Sequence, residues 1–135
     1  MRAGIDELQR RAPAVKVGAV GFCFGGGMTW QLLQAGEKRL AAAVPFYGPA
    51  PDPSEAARVR APMLVILAER DQRVNATALP WIAALRAAGR EVEAITYPGV
   101  DHAFHNDTSA ARYNADAAHR AWAATLAFLA RHLRS

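Results

Sequence analysis

The sequence predicts an α/β fold, about four parallel strands with helices on both faces, and three observations lead there. Short apolar runs alternate four times with segments of helical periodicity. Three of the runs, Val15 to Val20, Ala41 to Tyr47 and Met63 to Leu67, show no polar alternation, as strands covered on both faces do. The length, 135 residues with 52% apolar and 21% charged, suits a single domain with one modest core.

Each element has its own justification. Ile5 to Arg11 has amphipathic helical spacing and is closed by Pro13. Val15 to Val20 is the first strand, and large apolar residues at helical spacing follow from Met28 toward Ala35, with Gly36 placed to end that helix. Ala41 to Tyr47 is the second strand. The proline-rich loop Gly48 to Pro53 comes next, with Ser54 as candidate cap of a short helix through Val59. Pro62 introduces the third strand, Met63 to Leu67. Asn75 or Thr77 is expected to open a helix that carries Leu79, Ile82 and Leu85 inward and stops at Gly89, which puts Pro80 in its first turn. Val92 to Tyr97 is the fourth strand. The last helix runs from about Ala115 to His132, with Trp122, Leu126, Leu129 and Leu133 on one face. Trp30, Trp81 and Trp122 are expected in the packing, and His119 and His132 in solvent.

The formal charge is +4, but the arginines are scattered, without the dense basic run that marks a nucleic-acid partner. The single cysteine excludes an intrachain disulfide and fits a reducing, cytoplasmic setting. The first residues, Met1 to Arg11, are too polar for a signal peptide, and no apolar run approaches a membrane span.

The chemistry centres on Gly21-Phe22-Cys23-Phe24-Gly25, between the first strand and the following helix. A strand that turns into a helix within a few residues strains its central residue, and glycines two before and two after relieve the crowding. The central side chain is then presented at the strand's carboxyl end, beside a helix N-terminus that favours a thiolate. Taken alone, Cys23 also fits a small buried hydrophobe. In a parallel sheet the other functional residues belong in the loops after strands. The loop after the third strand holds Asp71, with Glu69 as a rival acid. The loop after the fourth holds His102, with His105 as a rival base and Asp101 and Asp107 as further rival acids. Asp71 alone also reads as a turn residue, and His102 alone as a surface one. Their joint placement carries the reading: nucleophile, acid, histidine is the chain order of α/β-hydrolases. Histidine would take the thiol proton, the carboxylate would hold its tautomer, and the Phe24 N–H would donate to the oxyanion.

These residues resemble the dienelactone hydrolase (carboxymethylenebutenolidase) family of α/β-hydrolases. The likeness runs from about Val15 to the C-terminus. It rests on Gly21-Phe22-Cys23-Phe24-Gly25-Gly26, Phe46-Tyr47-Gly48, Glu69-Arg70-Asp71 with Val74, and His102-Ala103-Phe104. The resemblance implies a Cys23-His102-Asp71 triad that cleaves small-molecule enol lactones and activated esters through a thioester, with no metal and no organic cofactor. Phe22, Tyr47 and Phe104, aromatic members of those motifs, are the expected substrate contacts. Members of the family have further strands before the nucleophile's, which would hold a second oxyanion donor and a glutamate that pairs with the resting cysteine. The family's substrate-gripping arginines have no counterpart here, one position falling near Asn106. A plain ester or thioester is therefore the expected substrate. The fold expectation becomes a truncated α/β-hydrolase-like three-layer domain over 1–135.

Two other readings use the same residues. A catalytically inactive, oligomerising half-domain would keep the fold without turnover, and a redox sensor would need Cys23 but neither Asp71 nor His102. Without the family's preceding strands, Val15 to Val20 becomes an apolar sheet edge with Lys16 as its sole charge. A homodimer with its interface beside that strand is the expected remedy.

Overall fold

The computed structural model describes residues 1–134. Four strands, β1 (Val17–Phe22), β2 (Leu40–Phe46), β3 (Met63–Ala68) and β4 (Val92–Tyr97), form one sheet in the order β1-β2-β3-β4. Every neighbouring pair is parallel. The connections are α2 (Phe24–Gln34), a 3₁₀ helix (Pro53–Arg58) and α3 (Gln72–Ala87). Helix α1 (Arg2–Arg11) precedes the sheet and α4 (Ala115–Leu133) follows it. No helix among the described residues is long and apolar enough to cross a membrane.

Side-chain alternation along β1 sorts the helices into layers. A Cβ added at Gly18 would meet Leu129 and Leu133 of α4, whereas one added at Gly21 would meet Thr29 of α2. Residues three apart on a strand face opposite ways, so α2 and α4 cover opposite faces. Trp30 of α2 and Trp81 of α3 are wholly buried against each other, ring centres 5.3 Å apart, which places α3 on the α2 side. Strand β3 is buried along its whole length and is the middle of the core.

Several boundaries differ from those read in the sequence, each for a local reason. Val15 is exposed and closes the turn after α1 through its N–H to the Ala12 carbonyl, so β1 starts two residues later than expected. Asp52, not Ser54, caps the 3₁₀ helix, its carboxylate accepting from the Ser54 N–H. Helix α3 begins at Gln72 because the Asp71 carboxylate accepts from the Val74 N–H. Pro80 therefore sits inside the helix rather than in its first turn. The buried row Ala78, Trp81, Ile82 and Leu85 offsets the hydrogen bond that Pro80 cannot donate. Leu79, expected inside, is half exposed on the other side of that row.

Helix α4 departs most from the expected pattern. Its buried row is Ala117, Ala121, Thr125 and Phe128. Three small residues let the helix lie close to the sheet, with the Thr125 hydroxyl returned to the Ala121 carbonyl. The bulkier row lies one position round, about 100° away. Trp122 and Leu126 in that row are half exposed, while Leu129 and Leu133 lean on Gly18 of β1. His132, expected in solvent, is largely covered by Phe128 and faces Glu91.

The β1 edge is thus bordered by apolar surface on both sides. An open cleft of about 520 Å³ lies between α1 and β1, lined by Ile5, Leu8, Val17, Ala19, Val20 and Leu32. Val20 itself is 37% exposed. Lys16, next to the strand, is drawn to the Arg134 carbonyl at 3.0 Å. An apolar edge with unpaired backbone groups invites another strand. We expect a two-fold dimer with β1 beside β1. Sedimentation equilibrium at micromolar concentration is expected to return twice the 14.5 kDa chain mass. Val20→Lys is expected to return the single mass, and a wild type that stays monomeric refutes the expectation.

Candidate active site

The site lies at the carboxyl ends of the strands, and its geometry starts with Cys23. This residue is the N-cap of α2 and holds φ 54° and ψ −114°, a left-handed geometry that ordinary side chains avoid. Its N–H donates to the Phe46 carbonyl at 3.0 Å, fastening the turn to the end of β2. Two glycines make the turn possible. A Cβ at Gly21 would run into the Gly25 carbonyl and lie 2.5 Å from the Thr29 hydroxyl. A Cβ at Gly26 would lie 2.6 Å from the Phe46 carbonyl. Gly25, expected to relieve crowding, has open space where its Cβ would be, so the steric demand falls on Gly26 instead. Gly48 faces Gly26 and has no room for a side chain either.

The acid loop after β3 is stitched to the histidine loop after β4 at each of its three residues. Glu69 accepts from the Gly99 N–H at 2.7 Å. The Arg70 N–H donates to the Val100 carbonyl at 3.1 Å, and its guanidinium stands 3.6 Å from Asp101. Asp71 divides its carboxylate: Oδ1 caps α3 through Val74, and Oδ2 hydrogen-bonds His102 Nδ1. His102 Nε2 then lies 3.1 Å from Cys23 Sγ. The structure thus brings Cys23, His102 and Asp71 into one hydrogen-bonded line, running from an exposed thiol through a largely covered imidazole to a buried carboxylate.

The rival candidates are occupied elsewhere. Glu69 and Asp101 hold the two loops together as described. His105 Nδ1 is hydrogen-bonded to the Tyr47 hydroxyl, and its ring stacks on Phe22 with centres 4.3 Å apart. Burial lowers the basicity of His105 below that of an ordinary histidine, against a smaller opposing effect of Asp107. Asn106 accepts from the Thr108 N–H and hydroxyl, which shapes its own turn.

Phe24 is the first residue of α2, so no preceding helical turn uses its N–H, and its side chain is exposed. Phe22 is half-buried and lines a pocket of about 190 Å³ with Phe46, His105, Tyr113, His119 and Trp122. Phe104 is wholly buried between Tyr47 and Tyr97, a core position that offers a substrate no surface. Tyr47 is also buried, and its phenol is held well above the ordinary tyrosine range by that burial and, secondarily, by charge at Cys23. Among the described residues, Glu91, Glu93 and His132 have spacing suited to a metal ion, but Arg131 pairs with Glu93. That group sits at the opposite end of β4 from His102.

The model of the dienelactone hydrolase family matches residues 1–133. A "Putative carboxymethylenebutenolidase" of Saccharolobus solfataricus is 38% identical over 117 residues, 86% of this chain and 44% of that protein. The crystal structure of a "Putative Dienelactone Hydrolase" from Klebsiella pneumoniae superposes with TM-score 0.81 at 30% identity, covering 96% of this chain and 60% of that one. A structure named m3DLH superposes with TM-score 0.85 at 25% identity and covers 98% and 60%. The chain spans about half the length of the curated relatives it matches.

The divided carboxylate of Asp71 can be tested apart from chemistry. Asp71→Asn keeps an acceptor for Val74 and is expected to leave the urea midpoint near wild type. Asp71→Ala loses the cap and is expected to cost about 1 kcal/mol more.

Proposed function

Because the chain belongs to the dienelactone hydrolase family, we propose that it hydrolyses short-chain carboxyl esters, lactones or thioesters through a cysteine acyl-enzyme. The observation that carries this reading is the line Cys23 Sγ, His102 Nε2, His102 Nδ1, Asp71 Oδ2. A thiol hydrogen-bonded to an imidazole whose far nitrogen is fixed by a buried carboxylate is an activated nucleophile. In the first half-reaction, His102 Nε2 takes the thiol proton as Sγ bonds to the ester carbonyl carbon. The carbonyl oxygen becomes an oxyanion that the Phe24 N–H stabilises. The C–O bond to the leaving group breaks as His102 returns the proton to that oxygen, leaving a thioester on Cys23. In the second half, His102 takes a proton from water, whose oxygen attacks the thioester. The acid departs, and sulfur regains the proton. Each turnover consumes one water. Asp71 holds the imidazole in the tautomer with its proton on Nδ1 and balances the imidazolium in both halves.

Stopped-flow cleavage of p-nitrophenyl acetate tests the proposal. The expected result is a burst of nitrophenol stoichiometric with Cys23, followed by slower turnover. Cys23→Ala is expected to abolish both phases. His102→Ala and Asp71→Asn are each expected to lower kcat by about 10³-fold or more, with the double variant no worse, since triad members act as a unit. Absence of a burst together with absence of turnover would favour the inactive half-domain. Full activity in His102→Ala would remove the triad reading.

A further inference from the structure

Three non-glycine residues among the described ones hold a positive φ: Cys23 at 54°, Tyr47 at 30° and Ala103 at 65°. Strain of this kind survives only where its surroundings over-determine it, and it collects at functional sites. Cys23 is the nucleophile's own turn, and Ala103 directly follows His102. The triad explains both. It does not explain Tyr47, which directly follows β2, the strand between those of Cys23 and Asp71.

The strained backbone turns the Tyr47 ring inward beneath the triad. The residue is 1% exposed, and its ring centre stands 4.9 Å from that of His102. Phe46 and Phe104 close on it from the sides. Its hydroxyl meets His105 Nδ1, and His105 is itself pinned by its stack on Phe22, the neighbour of Cys23. Burial favours the protonated phenol and the neutral His105 imidazole, and in the tautomer with the His105 proton on Nε2 the phenol donates to Nδ1. His102 has to keep one plane in which Nδ1 serves Asp71 while Nε2 serves Cys23. A ring fixed at both its backbone and its hydroxyl, tilted 59° to the imidazole, supplies a rigid wall against which that plane rests.

We propose that Tyr47 and His105 are positioning residues of the site: His105 anchors the Tyr47 hydroxyl, and the anchored ring holds the His102 imidazole in register with both Cys23 and Asp71. The claim rests on the hydrolytic reading only through His102, so its test includes a readout that needs no substrate.

Tyr47→Phe keeps the ring and loses the anchor, while His105→Leu removes the acceptor. Each is expected to lower kcat on p-nitrophenyl acetate by about tenfold, the worth of one neutral hydrogen bond, with KM within about twofold. Iodoacetamide alkylation of Cys23 at pH 7 is expected to slow by a similar factor in both. The double variant is expected to be no worse than either single one, because both remove one interaction. His105→Asn, whose side-chain oxygen can take the place of Nδ1, is expected to recover most of the loss. If wild type alkylates in a His102-dependent way but cleaves no ester, the hydrolytic reading falls and the positioning claim stands. Equal alkylation rates in wild type and Tyr47→Phe, multiplying losses in the double variant, or no recovery in His105→Asn each overturn it. Alkylation unaffected by His102→Ala overturns both.

Discussion

Everything in this site depends on one backbone constraint: β1 must become α2 within a single residue. Cys23 absorbs that reversal in left-handed geometry, and its N–H is tied to the Phe46 carbonyl. The tie fixes where β2 ends, so Tyr47 leaves β2 directly beside Cys23. It also forces α2 against the chain after β2, which is why Gly26 and Gly48 meet with no space for a methyl group on either. A tight turn, a close helix and a strained tyrosine are thus one problem solved at adjacent positions. The exposed thiol follows from it, because a residue at the apex of such a turn has no neighbour above it.

The second half of the site is built by fastening rather than by strain. The consecutive residues Glu69, Arg70 and Asp71 each bond the loop that follows β4. A long loop with three fixed points has few conformations, so the His102 ring is held in one orientation. Asp71 contributes twice, since capping α3 through one oxygen aims the other at His102. The buried position of that carboxylate is tolerable because both oxygens are satisfied.

Much of this was legible in the residues themselves. The strand β4 was bounded correctly from Val92 to Tyr97, because Pro98-Gly99 punctuates a β-branched run. The placement of Cys23, Asp71 and His102 after their strands followed from the glycine-flanked turn, the parallel-sheet pattern and the chain order together. The misses on helix faces have a common cause, the angular coarseness of helix reading in an alanine-rich chain. A step of one residue turns a helix face by about 100°. Hydrophobicity therefore pointed to Leu79 and to Trp122 with Leu126, whereas packing chose Ala78 and Ala121, which are small enough for close approach. Gly26 carried no local signal, since its requirement comes from Gly48, distant in sequence. Nor did the start of α3, where one aspartate serves as both turn residue and cap. Phe104 follows the same logic: a motif aromatic beside the histidine reads as a ligand contact until the core behind it is seen.

Cys23 and His102 follow the two outermost strands of the described sheet, β1 and β4, and Asp71 follows β3, next to β4. Outer strands have one hydrogen-bonded neighbour and open in the low-energy fluctuations that leave a core intact. The hydrogen-bonded line Cys23-His102-Asp71 therefore spans the two margins most prone to fraying, while its rigid middle is β2 and β3. Such an arrangement makes that hydrogen-bonded line a sensor of sheet integrity. On warming, the relay between sulfur and carboxylate would come apart through partial opening at either margin, at temperatures where the buried centre still gives the spectroscopic signature of a folded protein.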